Sequence, residues 1–143
     1  MTLLFLIWAS GCSGSEQERI IIETVDAPAA IGPYSQGILT GNTLYAAGQI
    51  GLIPGEGRMA GEDLESQTRQ ALDNLGAVLE ESGMDYQNVV SVDVFLSDID
   101  NFSAFNAIYS EYFTENPPAR AVVEAARLPR DALVEIKLIA VKN

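Results

Sequence analysis

The chain contains no histidine, and that one absence removes most of the familiar hydrolytic machinery. Without an imidazole there is no Ser/His/Asp or Cys/His arrangement and no histidine-ligated zinc. Acid–base chemistry must then run on carboxylates, tyrosines, lysines or bound water. Cysteine is nearly missing too: Cys12 stands alone, which excludes an intramolecular disulfide. Basic residues are scarce, eight against twenty acidic ones, for a formal net charge of −12. A field of that sign repels nucleic acid and anionic membrane surfaces and favours a small or neutral partner. An anionic ligand would need a local cation to overcome it, which makes any arginine inside an apolar stretch a candidate ligand contact. Long apolar runs are absent as well. The run Leu3 to Ala9 is far too short to span a bilayer as a helix.

What is present is ordinary globular material: 48% hydrophobic and 20% charged residues, with 12 glycines and 6 prolines spread along the chain and no internal repeat. At 143 residues there is room for one core and one domain. The opening "MTLLFLIWASGCSGSEQ" reads as an apolar run, then small residues before Cys12, then a polar tether, and it resembles a bacterial lipoprotein signal. Residues 1–18 are therefore read as leader and tether and 19–143 as the domain, with Cys12 as the lipidation site. The leader implies a periplasmic, membrane-anchored protein, with the lipid as its one membrane contact; read without it, the chain is cytoplasmic.

Periodicity places the elements. Glu18 to Glu23 reads as a first strand, "VDAPAAIGPYSQG" as a Pro/Gly-punctuated surface segment, and "TLYAAGQIG" as a strand after the Gly41-Asn42 turn. Between Asp63 and Ser82, residues Leu64, Thr68, Ala71, Leu72, Leu75 and Leu79 make a helical stripe that Gly83 terminates. "NVVSVDVFLSD" alternates as a half-buried strand with Val90, Val92, Val94 and Leu96 on one face. Asp98 or Asp100 then caps a second helix whose aromatics, from Phe102 to Phe113, read as core packing. "PARAVVEAARL" and "ALVEIKLIAVK" are the last two strands, joined by a turn at Pro129-Arg130-Asp131. This order predicts an α+β fold with two helices on one face of the sheet. In the last strand Val134, Ile136, Leu138 and Ala140 suit the helices. The opposite set, including Glu135 and Lys137, mixes charge with apolar bulk, as expected of a face buried between subunits around a wet pocket.

"APAAIGPYSQG", "AGQIG", "QTRQALDNLGAVLEESG", "NFSAFNAIY" and above all "PPARAVVEAARLPRDALVEI" resemble the Rid (YjgF/YER/UK) family, from about Thr24 to Val141. The resemblance implies a chorismate-mutase-like α+β fold with a mixed β-sheet, assembled as a homotrimer with its site at the subunit interface. It implies an enamine/imine deaminase that hydrolyses 2-imino and enamino acids, such as 2-iminobutanoate and 2-iminopropanoate, to 2-oxo acids and ammonia without cofactor or metal.

A 2-imino acid carries a carboxylate beside an electrophilic C=N carbon, so its site needs a bidentate cation, a positioned water and a proton acceptor. Arg120 aligns with the family's substrate-binding arginine, and a guanidinium fork matches a carboxylate. Alternation puts it on one strand face with Val122 and Glu124, expected to point into the mixed surface that holds Glu135. Glu135 aligns with the glutamate that holds the attacking water, Tyr34 with the tyrosine that closes the pocket, and Asn106 with an asparagine lining it. Gly48 lets backbone approach the ligand. Structural alternatives stand beside each: an Arg120–glutamate ion pair, a Glu135 pair with Arg127 or Lys137, a packing role for Tyr34, a cap or solvent role for Asn106. Arg127 reads as structural. Two positions depart from the family pattern. Ala47 replaces a serine hydroxyl, a loss of roughly 1.5 to 3 kcal/mol of charged hydrogen bonding, and Val122 replaces a cysteine that contributes mainly its backbone. Those departures keep open a non-catalytic carboxylate-binding or chaperone-like trimer, while the absent histidines and the negative charge weigh against ribonuclease activity.

Overall fold

The computed structural model describes residues 17–143. Residues 1–16 of the expected leader and tether, with the expected lipidation site Cys12, lie outside the described residues. Six strands form one sheet: β1 (Arg19–Ile22), β2 (Gly37–Thr40), β3 (Thr43–Ala46), β4 (Val89–Leu96), β5 (Ala119–Glu124) and β6 (Val134–Val141). Their spatial order is β1-β2-β3-β6-β4-β5, with β4 and β5 parallel and every other pair antiparallel. Helices α1 (Leu64–Glu81) and α2 (Phe102–Tyr112) supply the cover. The α+β expectation with two helices is met, and the crossover through α2 is what makes β5 run parallel to β4.

Local chemistry sets the boundaries. Asp63 caps α1 by accepting from Ser66 N at 2.8 Å and Ser66 Oγ at 2.7 Å, and Gly83 ends it in the left-handed region at φ 74°. Asp98 caps a short 3-10 turn ahead of α2, accepting from Asp100 N. The apolar stripe of α1, with Leu72, Leu75, Val78 and Leu79 fully buried, packs on Val92, Val94 and Leu96 of β4 and Val134, Ile136 and Leu138 of β6. Burying such side chains supplies roughly 1.5–3 kcal/mol each, enough to hold α1 on the sheet. Two expectations shift in detail. A bulge in β4 between Val89 and Ser91 turns Val89 into the core and leaves Val90 exposed, so Val90 leaves the face assigned to it. The strand expected to run through Gly48 stops at Ala46, and beyond it only Gln49 pairs with Ile136.

Among the described residues no helix covers the sheet's other face. Tyr45 and Val123 are exposed there, Ile38, Phe95 and Ile139 are half-buried, and Lys137 pairs with Asp93 at 3.4 Å. The mixed character read from β6 extends across five strands, β2 to β6. No described helix is long and apolar enough to cross a membrane.

Candidate active site

The sequence-predicted residues gather in two places. The first is a cavity of about 320 Å³ on the uncovered face, lined by Tyr34, Ala47, Gly48 and Glu135. Pro28, Ala29, Ile31, Ile50, Leu52 and Pro129 make its wall largely apolar. Glu135 projects from β6 opposite Phe95 of β4 and is half-buried. Among the described residues it forms no ion pair: Lys137 is taken by Asp93, and Arg127 by Asp131 at 2.7 Å. The structural alternative for Glu135 therefore fails. Burial alone pushes its carboxyl pKa above the ordinary value, because nothing nearby compensates the ionised form. A half-buried carboxylate without a protein partner is a hydrogen-bond acceptor left for water or ligand. Gly48 makes that placement possible: a Cβ there would lie 2.2 Å from Glu135 Oε1.

Tyr34 stands at the mouth, 47% exposed, on the long connection between β1 and β2. One buried amide straps that connection down. Gln36 accepts from Thr24 N at 2.7 Å and donates to the carbonyls of Thr24, Ala27 and Pro28 at 3.0, 3.3 and 2.9 Å. Other buried amides do the same beneath the cavity floor, where Asn74 donates to the carbonyls of Ile50 and Leu52. Gln67 joins Gly61 O to Leu133 N. Sequence reading passed over all three, because a polar residue in a loop or helix looks like a solvent contact. The only available signal was Asn74's place beside the apolar stripe of α1.

The second group is Arg120, Asn106 and Val122, and here the expectation about faces is corrected. Arg120 pairs with Val92 and Val122 with Val94, in register. Paired residues share a face, so Arg120 and Val122 lie on the helix-covered side with Val92 and Val94, opposite to Glu135. Val122 packs against the core. Arg120 Nη2 donates to Asn106 Oδ1 at 2.7 Å, which gives Asn106 a defined role in place of a cap. The guanidinium carbon lies 4.4 Å from the Tyr109 ring centroid, with Phe105 at 5.7 Å and Phe102 at 5.9 Å. Among the described residues no carboxylate pairs with Arg120, so the ion-pair alternative fails for it too. Tyr109 was read as core; it is core, and it also carries the arginine. Arg127 keeps its structural reading, pairing with Asp131 across an exposed turn where Arg130 and Asp131 adopt left-handed φ of 57° and 55°.

Among the described residues, one chain thus carries an arginine without an acidic partner on one side of the sheet and a half-buried carboxylate without a basic partner on the other. Residues 24–142 match the endoribonuclease L-PSP family. The chain belongs to that family, the Rid (YjgF/YER/UK) family of the sequence analysis. A RutC family protein of Pyrococcus horikoshii is 48% identical over 86% of this chain and 98% of its own length. The 2-iminobutanoate/2-iminopropanoate deaminase of Capra hircus is 46% identical over 87% of this chain and 91% of its own. In solved structures, the YjgF gene product of E. coli superposes with a TM-score of 0.83 at 42% identity, covering 87% of this chain and 99% of that one. The Rid fold expected from the motifs is therefore the fold observed. Ala47 sits in the cavity with its backbone N–H donated to Gln36 O at 2.9 Å, so a hydroxyl at that position is what the pocket lacks.

Proposed function

We propose that this Rid-family chain is a hydrolytic deaminase of 2-imino and enamino acids, working as a homotrimer whose sites form between subunits. The observation that carries the reading is a pair of charges unpaired among the described residues: a guanidinium with no acidic partner and a half-buried carboxylate with no basic one. Both groups have been left for a ligand, and their signs match a substrate with a carboxylate at one end and a carbon open to water at the other. A small molecule cannot touch both across one sheet, which supports assembly. The uncovered face, with Tyr45 and Val123 exposed on it, is the surface a second copy would bury.

In the assembled site Arg120 binds the carboxylate in a fork and Glu135 orients water against the imine carbon, accepting a proton as the C–O bond forms. That proton passes to the nitrogen to give a carbinolamine, and the carbinolamine's hydroxyl proton follows through the same carboxylate as the C–N bond breaks and the C=O bond forms. The products are a 2-oxo acid and ammonia, and nothing is oxidised or reduced. Tyr34 shields the cavity, and the apolar wall suits a short aliphatic side chain.

The test uses 2-iminobutanoate made in situ by an amino-acid oxidase and trapped with semicarbazide. Active protein lowers semicarbazone formation, and Arg120→Ala restores it. Unchanged trapping with the wild-type protein ends the proposal. Ala47 favours a second reading, a carboxylate-binding trimer without turnover, for which tight 2-oxobutanoate binding with unchanged trapping is the signature. The leader supports a separate proposal, export and anchoring through Cys12. Fractionation against Cys12→Ala tests it, and a wild-type protein found wholly in the soluble cytoplasmic fraction rules it out.

A further inference from the structure

We infer that Tyr109 is the positioning residue of Arg120, its ring serving as a platform that holds the guanidinium aimed at a ligand carboxylate while keeping acidic side chains away from it. The inference rests on Arg120 being the carboxylate clamp proposed above. A half-buried guanidinium needs compensation for lost hydration, and the usual source is a carboxylate. A carboxylate would also compete with the ligand and would have to be displaced before binding. Around Arg120 the compensation comes instead from the Tyr109 ring at 4.4 Å, two further rings at 5.7 and 5.9 Å, and one amide oxygen. Glu124, the acidic residue on the same strand face, is held elsewhere, accepting from Ile99 N at 2.9 Å. A guanidinium's donors lie in its own plane, whereas a ring attracts it through its face. Platform and ligand therefore address different directions.

The platform is itself fixed. Tyr109 stacks on Phe113 at 4.3 Å between centroids and packs on Phe105 at 5.5 Å. Its hydroxyl is buried with no hydrogen-bond partner among the described residues. Burial pushes the phenol up to about 12 despite the nearby Arg120 charge, so the group stays protonated and is no proton acceptor near neutral pH. Tyr109 stays neutral and its hydroxyl makes no hydrogen bond within ordinary geometry among the described residues, so the contact it offers the guanidinium is its ring face.

The experiment measures 2-oxobutanoate affinity by calorimetry on the full chain. Tyr109→Leu is expected to weaken binding about five- to tenfold, the loss of one desolvated cation–π contact. Tyr109→Phe, which restores the ring, should recover most of that affinity. Phenylalanine analogues carrying one to three ring fluorines at position 109 should weaken it stepwise, since fluorine drains the ring face without changing its packing appreciably. None of these changes should matter in an Arg120→Ala background. A flat fluorine series, or a Phe variant as damaged as Leu, overturns the inference, and the fluorine series decides alone if the Leu variant does not fold. Wild-type protein that binds 2-oxobutanoate but hydrolyses no imine ends the deaminase reading while the affinity series still judges Tyr109. Wild-type protein that does not bind it at all overturns both.

Discussion

A methyl group at position 48 would meet Glu135 Oε1 at 2.2 Å, and Glu135 Cδ at 3.0 Å. What must yield is the end of a flexible side chain, not backbone, so Gly48→Ala should fold normally with its carboxylate displaced. We expect kcat to fall about ten- to a hundredfold with little change in melting temperature, the cost of a misplaced water contact. Parallel thermal melts and imine assays check this, and full activity would show that Glu135 does not hold the attacking water. The same carboxylate sets a pH response. Burial raises its pKa above the ordinary 4.5, so the ionised, accepting form is lost as pH falls through that raised value. The acid limb of kcat should therefore lie above the ordinary carboxylate range, and Glu135→Gln should abolish it together with most turnover. Stability runs the other way. A carboxyl whose folded pKa exceeds its unfolded one stabilises the fold fully below the unfolded pKa. That contribution is lost as pH rises through the folded value. Glu135→Gln, neutral throughout, should melt no lower than wild type at neutral pH. A lower melting temperature would mean the ionised group has a partner in the assembled protein.

At the scale of elements, the cavity is built less by strands than by the irregular segments between them. Those segments are held by buried amides: Gln36 under the β1–β2 connection, Asn74 under residues 50–52, Gln67 between Gly61 and Leu133. Each satisfies backbone groups that would otherwise be buried unpaired. Gln36→Leu leaves Thr24 N and three carbonyls without their side-chain partner, a cost of roughly 2–4 kcal/mol, and loosens the strap that carries Ile31 and Tyr34. Denaturant melts should show the loss, and KM should rise more than kcat falls, since the strap lines the pocket without touching the attacking water. An unchanged KM in the folded variant would detach the strap from binding. These amides were not legible in the sequence, because burial of a polar side chain depends on which carbonyls the tertiary structure brings to it. Both helices and five of the six strands were legible, and so was the helix-facing side of β6, since each rests on local periodicity; β2 (Gly37–Thr40), four residues long, was not. The side of the sheet that Arg120 faces was not. Alternation groups Arg120 with Val122 and Glu124, yet every residue of β5 is half-buried or exposed at the sheet edge. Only the parallel register against Val92 and Val94 decides the matter.

For the whole molecule, the consequence of that register is that the described part of one chain does not bring Arg120 and Glu135 together, so the proposed site needs a second copy. Arg120 and Asn106 sit on the helix side at the outer strand, and Glu135, Tyr34 and Gly48 sit on the bare side. The motif "PPARAVVEAARLPRDALVEI" thus places its arginine and its glutamate only 15 residues apart but on opposite faces. Its compactness in sequence points to one pocket, whereas the fold separates the two side chains across the sheet. In the proposed trimer, a closed ring of like subunits would set the arginine side of each chain against the glutamate side of the next. The net charge of −12 opposes such association at low salt, so added salt should tighten it while weakening the carboxylate contact. The decisive measurement mixes two dead proteins. Arg120→Ala and Glu135→Gln should each be inactive alone. Co-expressed in equal amounts and assembled at random, they should regain activity, because about one quarter of the interfaces then pair an intact arginine from one chain with an intact glutamate from its neighbour. Native mass spectrometry confirms the mixing. Mixed trimers that stay inactive would mean that both residues of a site come from one chain, which the opposite faces of Arg120 and Glu135 forbid without refolding of β5.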